Sequence, residues 1–152
     1  MGEMNEYSKI KEVAIRSPLQ GFVSEEKLSR EWEPLRFHAK PHLEKAIVEF
    51  NYFRNLLAEE EIEIVDLPSS DLLTIDSIYT RDSILISKAG LILCNMGRES
   101  RTPEANENYR TLAKKGYEIA GQIKAPGTLE GGDFIWIDDN HAAVGLGPRT
   151  NL

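Results

Sequence analysis

The sequence contains a single cysteine, Cys94, so it closes no internal disulfide and suits a reducing compartment. No run approaches the 18 or so apolar residues of a membrane-spanning helix. The opening, MGEMNEYSKIKE, lacks the apolar core of a secretory signal. Basic side chains are in deficit: 18 Lys and Arg stand against 25 Asp and Glu, a formal charge of −7. That balance argues against a phosphate backbone as partner, because nucleic-acid affinity rests on clustered Lys and Arg. Histidine is also scarce, at three. His38 and His42 are four apart, but Pro41 lies between them and no third ligand accompanies them, so they do not make a metal site. Asp138-Asp139-Asn140 lacks the further oxygens of a calcium loop and reads as a turn. The expected setting is cytoplasmic, with no nucleic acid, no membrane and no metal.

What is present is ordinary globular material, with 41% hydrophobic and 28% charged residues. Residues 1–9 are polar, carry no period, and read as a flexible tail. Ile10 to Arg16 reads as a strand ended by Ser17-Pro18, and a short helix is expected at 25–32. Pro41 suits the first turn of a longer helix in which Leu43, Ala46, Ile47, Phe50, Phe53, Leu56 and Leu57 recur at three- and four-residue steps. Ile62, Ile64 and Leu67 mark a second strand. Residues 83–95 read as a hairpin turning at Ala89-Gly90. Thr102 is the expected cap of the next helix, with Pro103 in its first turn, Ala105, Tyr109, Leu112 and Ala113 as its buried stripe, and Gly116 as its stop. A strand at 117–123, a turn at Ala125-Pro126-Gly127 and a second hairpin at 134–144 complete the pattern.

These pieces repeat. Hairpin, Arg-Thr pair, helix, strand and proline turn run from Ile84 to Pro126, and the next hairpin leads to Arg149-Thr150, which stands 48 residues after Arg101-Thr102. A period of this size suggests an α/β propeller or solenoid of ββαβ units, each needing neighbours to cover its apolar faces. About the first two to three units are expected, and Leu152 reads as a cut end rather than a natural terminus.

Four segments carry chemistry: Asp76-Ser77-Ile78-Tyr79-Thr80-Arg81-Asp82, Arg101-Thr102-Pro103-Glu104, 125–133 (APGTLEGGD) and 145–151 (GLGPRTN). Asp82 and Glu130 each precede a hairpin at equivalent places in the repeat, positions that converge at one end of a propeller channel. Two carboxylates there clamp a planar cation such as a guanidinium, which stays protonated and is not buried without such partners. Arg101 and Arg149, also equivalent, suit the carboxylate of an amino-acid substrate. Gly131-Gly132 allows close approach of backbone. Asp133 reads as holding that turn. Cys94 ends the apolar strand Leu91-Ile92-Leu93 and reads as a small buried hydrophobe.

On these motifs and their order the sequence resembles the guanidino-group-modifying enzymes, namely arginine deiminase, dimethylarginine dimethylaminohydrolase and the amidinotransferases. These share the five-bladed pentein α/β-propeller. The likeness runs from about Ile10 to Leu152 and favours the dimethylarginine dimethylaminohydrolase branch, through APGTLEGGD followed by RTN. It implies that residues 10–152 are the N-terminal portion of a propeller catalytic domain. Asp82 resembles the carboxylate gripping the substrate guanidinium, and Glu130 the acid paired with the catalytic histidine. Asp76 resembles the residue near the substrate's α-amino group, and Arg101 and Arg149 those reading its carboxylate. The family's nucleophilic cysteine and acid/base histidine have no match here.

The implied reaction is attack of a cysteine thiolate on the guanidinium carbon, with histidine protonating the departing amine. Water then releases the intermediate in a hydrolase, and a second amine does so in an amidinotransferase. No cofactor is required, and the partner is a small guanidino compound. The 152-residue chain alone is then expected to be inert, with activity belonging to the full-length protein. Open apolar strand edges would allow copies to pair as a homo-oligomer. The alternative is a non-catalytic pentein-fold binding or assembly protein. Carboxylates at Asp82 and Glu130 together with Arg101 and Arg149 favour the enzyme.

Overall fold

The computed structural model describes residues 4–151. They fall into two compact units, one comprising Ile10–Tyr79 and the other the residues from Thr80 onward with the segment that precedes Ile10. Among the described residues, no helix is long and apolar enough to cross a membrane.

In the first unit β1 (Glu12–Ile15) pairs in parallel with β2 (Glu63–Asp66), Val13 opposite Ile64. A parallel pair needs a long crossover, here α1 (Pro18–Gly21), α2 (Glu25–Glu31) and α3 (Leu43–Glu59). Ser24 caps α2 by accepting the Lys27 N–H at 3.2 Å, and Glu25 and Glu26 favour its first turn. Phe22, Leu28, Leu35 and Ile75 form the core, with Trp32, Phe37 and Leu43 packed on it. Two expectations for α3 fail. Pro41 lies outside the helix, whose cap position is His42, and the apolar stripe is only half covered: Phe53 and Leu56 are exposed. Arg16 is buried, donating from Nη1 to the Ser77 carbonyl at 2.7 Å and from Nε to that of Pro68 at 3.2 Å. It thus ties the end of β1 to the buried 3-10 turn Ile75–Ile78.

In the second unit β3 (Ile84–Ser87) and β4 (Gly90–Leu93) form an antiparallel hairpin. After α4 (Glu104–Lys114) the chain adds β5 (Ile119–Gln122) in parallel beside β4, giving the order β3-β4-β5. Gly90 opens β4 at φ 131°, where a Cβ would stand 2.7 Å from the Glu118 carbonyl. The turn is therefore Lys88-Ala89, one residue earlier than the sequence suggests. Gly116, at φ 89°, follows the end of α4 as expected. Leu85, Cys94, Met96 and Leu129 make the core. The β6 (Phe134–Trp136) and β7 (Ala142–Val144) strands form a separate hairpin, with the Trp136 indole donating to the Ile86 carbonyl at 2.8 Å.

Of the expected ββαβ units the described residues contain one complete example, β3-β4-α4-β5, and one hairpin; the β1–β2 unit is β-α-β. The sheets are open, with two, three and two strands. The expected flexible tail lies partly outside the described residues. Within them, Glu6 pairs with Arg81 at 3.1 Å and the Tyr7 hydroxyl donates to Asp139.

Candidate active site

Three local devices bring charged side chains together in the second unit. Asp82 ends a 3-10 turn (Thr80–Asp82) immediately before β3. Arg101 ends another (Glu99–Arg101), and Glu104 opens α4 three residues later, the spacing that puts both on one helical face. Glu130 is extended and leads into the turn Gly131–Asp133, while Arg149 and Thr150 follow β7.

Arg101 is the hub, with only 1% of its surface exposed. Its Nε and Nη2 fork onto Glu104 at 2.8 and 2.9 Å, and Glu104 is itself fully buried. Its Nη1 donates to Asp82 Oδ2 at 2.8 Å and stands 3.8 Å from Glu130 Oε2. Burial opposes the guanidinium charge, but the Glu104 fork and Asp82 hold its pKa above the ordinary value. The sequence-derived carboxylates Asp82 and Glu130 thus meet on one nitrogen, close enough to grip a single small cation. Asp82 Oδ1 accepts the Gly132 N–H at 3.0 Å. Each of its oxygens keeps a lone pair.

Glu130 Oε2 pairs with Arg149 Nη1 at 3.1 Å. Its Oε1 is buried without a protein hydrogen-bond partner. Burial raises the Glu130 carboxyl pKa, the nearby Asp82 charge adds to this, and Arg149 and Arg101 offset part of it. The consequence for stability has a definite sign. The folded chain holds the Glu130 proton to higher pH than the unfolded chain does, so this contribution is present below the ordinary glutamate value and is lost as pH rises through the raised one. Glu130→Gln should therefore steepen the acid-side fall in stability, with the variant gaining on wild type as pH goes from 4 to 7. Urea midpoints across that range check this; parallel curves for the two proteins would contradict it.

Asp76 belongs to the other unit, where it is buried in the 3-10 turn Ile75–Ile78. Arg101, expected to read a substrate carboxylate, has its guanidinium engaged by protein carboxylates. Arg149 has half of its side chain exposed and presents an accessible guanidinium. Cys94 packs in the core beside Leu85 and Met96, and burial pushes its thiol up to about 12, far from a thiolate at neutral pH. Glu104 and Thr150 are additions that sequence reasoning missed, while Asp133 holds the 130–133 turn as the sequence suggests. Arg-x-x-Glu spacing is the one signal of the Arg101–Glu104 pairing visible in the sequence. Three carboxylates (Asp82, Glu104, Glu130) surround one buried and one half-exposed guanidinium, so the residual field favours a cation.

Comparison with known proteins gives a consistent result. Residues 24–152 match the family model described as N,N dimethylarginine dimethylhydrolase, eukaryotic. The N(G),N(G)-dimethylarginine dimethylaminohydrolase of Pseudomonas aeruginosa is 30% identical over 112 residues, 74% of this chain and 43% of that protein. The enzyme of that name from Streptomyces coelicolor is 33% identical over 76 residues, 50% of this chain and 29% of the relative. A solved structure of the Pseudomonas aeruginosa protein, a cysteine-to-serine mutant complexed with citrulline, superposes with a TM-score of 0.72 at 27% identity, covering 93% of this chain and 52% of that one. The N-terminal domain of the cyanobacterial arginine dihydrolase ArgZ shares the fold, with a TM-score of 0.71 at 16% identity, over 95% of this chain and 51% of that one. The chain spans about half the length of these solved structures and less of the curated relatives.

Proposed function

Since the chain belongs to the N,N dimethylarginine dimethylhydrolase family, we propose that it supplies the substrate-gripping half of a pentein propeller enzyme. That enzyme hydrolyses the guanidino group of arginine-like compounds, and a methylated arginine is the substrate class. The observation that carries this reading is the convergence of Asp82 and Glu130 on Arg101 Nη1, with Glu130 Oε1 buried and unpartnered.

The chemistry needs a planar cation held rigidly, because resonance over three nitrogens makes its carbon a poor electrophile. Asp82 orients the guanidinium through its remaining lone pairs. Glu130 holds an acid/base imidazole, whose N–H takes up the unpartnered Oε1 and whose charged form that carboxylate stabilises. Arg149 reads the substrate carboxylate, and Asp76 the α-amino group. Arg101 acts from beneath, fixing both catalytic carboxylates. A cysteine thiolate other than Cys94 forms the bond to the guanidinium carbon, and the amine leaves with a proton from the imidazole. Water then attacks the same carbon and breaks the C–S bond, yielding citrulline and regenerating the thiolate. The imidazole and the thiolate lie outside the described residues, and the chain is cytoplasmic in this reading.

Asp82→Asn tests it, measured as citrulline released from methylarginines by the protein as its gene encodes it. Asparagine keeps the acceptor for the Gly132 N–H but removes the charge. Its amide nitrogen then faces the Arg101 Nη1 donor in place of Oδ2, so stability should fall by about 1–3 kcal/mol. The loss in kcat/KM should be about two to three orders of magnitude, the usual scale when one partner of a buried charge pair goes. Unchanged kcat/KM would end the assignment.

A further inference from the structure

The loop bearing Glu130 is fastened by the segment that follows β7, and the fastening converges on one hydroxyl. Thr150, 1% exposed, accepts the Glu130 N–H at 3.1 Å and donates to Asp133 Oδ2 at 2.6 Å. Asp133 in turn donates its own N–H to the Glu130 carbonyl at 2.9 Å, closing the turn from the other side. An ionised carboxylate only accepts, so Asp133 takes the threonine proton and leaves the hydroxyl's lone pairs for the Glu130 N–H. The neighbouring Asn151 repeats the fastening one step away. Its Oδ1 accepts the Thr128 N–H at 2.7 Å, and its Nδ2 donates to the Pro126 carbonyl at 3.1 Å. Both sides of Glu130 are therefore held by the same short segment that carries Arg149, its ion-pair partner.

We propose that Thr150 and Asp133 are positioning residues for Glu130, a hydroxyl relay that fixes the Glu130 backbone so that its carboxylate stays buried with Oε1 free for an incoming cationic group. The proposal rests on the reading of Glu130 as the acid that orients the imidazole. The relay touches neither substrate nor reacting atoms. It acts on proton transfer through Glu130 and leaves the guanidinium grip of Asp82 alone, so it separates kcat from KM. It also couples the two segments: whatever moves 149–151 moves Glu130.

The test uses Thr150→Val, which keeps the shape and removes both hydrogen bonds, Thr150→Ser, which keeps them, and Asp133→Ala at an exposed position that leaves folding intact. The Glu130 carboxyl is titrated by NMR in the 152-residue chain. In the valine variant the freed carboxylate should titrate about half a pH unit or more closer to an ordinary glutamate. Asp133→Ala should move it the same way by less, and serine should restore it. In the gene-encoded protein, Thr150→Val should lower kcat about tenfold with KM unchanged, and serine should restore it. A wild-type titration in Thr150→Val, or in Asp133→Ala should the valine variant not fold, overturns the relay. Turnover lost in Glu130→Gln but kept in Thr150→Val and Asp133→Ala overturns it as well. Turnover kept in Glu130→Gln overturns the functional reading instead, and the titration alone then judges the relay.

Discussion

Arg101→Met is expected to cost about 3–5 kcal/mol of folding stability, enough to leave a protein of this size largely unfolded at room temperature. The size follows from what is left behind. Glu104 is fully buried and meets the guanidinium through both oxygens, so without Arg101 it becomes an uncompensated buried carboxylate. Asp82, one-fifth exposed at its side chain, recovers some hydration, and Glu130 keeps Arg149. Lysine should not rescue, because a point ammonium cannot fork onto Glu104 and reach Asp82 as well. The double variant Arg101→Met with Glu104→Met should recover most of the loss, since a whole buried pair exchanged for apolar groups of similar volume is often near neutral. Urea denaturation followed by circular dichroism reads all three. A single variant within about 1 kcal/mol of wild type would show Arg101 to be an accessible substrate reader, not the hub of the cluster.

The same arginine shows where sequence reasoning carried and where it stopped. The hairpin, helix and strand from Ile84 to Gln122 were legible, because punctuation by Gly90 and Gly116 and the switch between periods of two and 3.6 are local properties. The repeat then makes Asp82 equivalent to Glu130 and Arg101 equivalent to Arg149, and the structure brings all four together. Roles within the cluster depend on partners distant in sequence. The face of α4 that packs inward carries Glu104 and Asn108 with Ala105 and Leu112, while Ala113 is exposed and Tyr109 half-buried. A count of apolar residues misses this face, since Glu104 serves Arg101 and Asn108 donates to the Ser83 hydroxyl at 2.8 Å. Thr102 likewise turns away from α4, its hydroxyl donating back to the Glu99 carbonyl at 2.6 Å. The helix begins instead after Pro103, with Glu104 already committed to Arg101. Asp76 lies six residues before Asp82 in the chain, and the unit boundary falls between them.

The second large effect belongs to a residue with no side chain. A Cβ on Gly131 would fall well inside contact distance of the Arg81 carbonyl oxygen and 2.7 Å from Arg81 Nη1. The guanidinium can swing aside, but the carbonyl is backbone of the 3-10 turn Thr80–Asp82, so the loop itself must retreat. That retreat breaks the Gly132 N–H to Asp82 bond and the Arg81 Nη1 bond to the Gly131 carbonyl, at 3.0 and 2.9 Å. Gly131→Ala should therefore destabilise by about 1–3 kcal/mol, the usual cost of overpacking. It should also separate Glu130 from Asp82, so that guanidino binding and turnover fall by more than stability alone predicts. Gly147→Ala is the control, because a Cβ there meets nothing within 4 Å; its urea midpoint should stay at the wild-type value. Paired measurements of urea midpoint and methylarginine turnover separate the two effects. If Gly131→Ala behaves like Gly147→Ala in both, the approach of the 130–133 turn to Asp82 is not what holds the two carboxylates together, and the clamp must be sought in Arg101 alone.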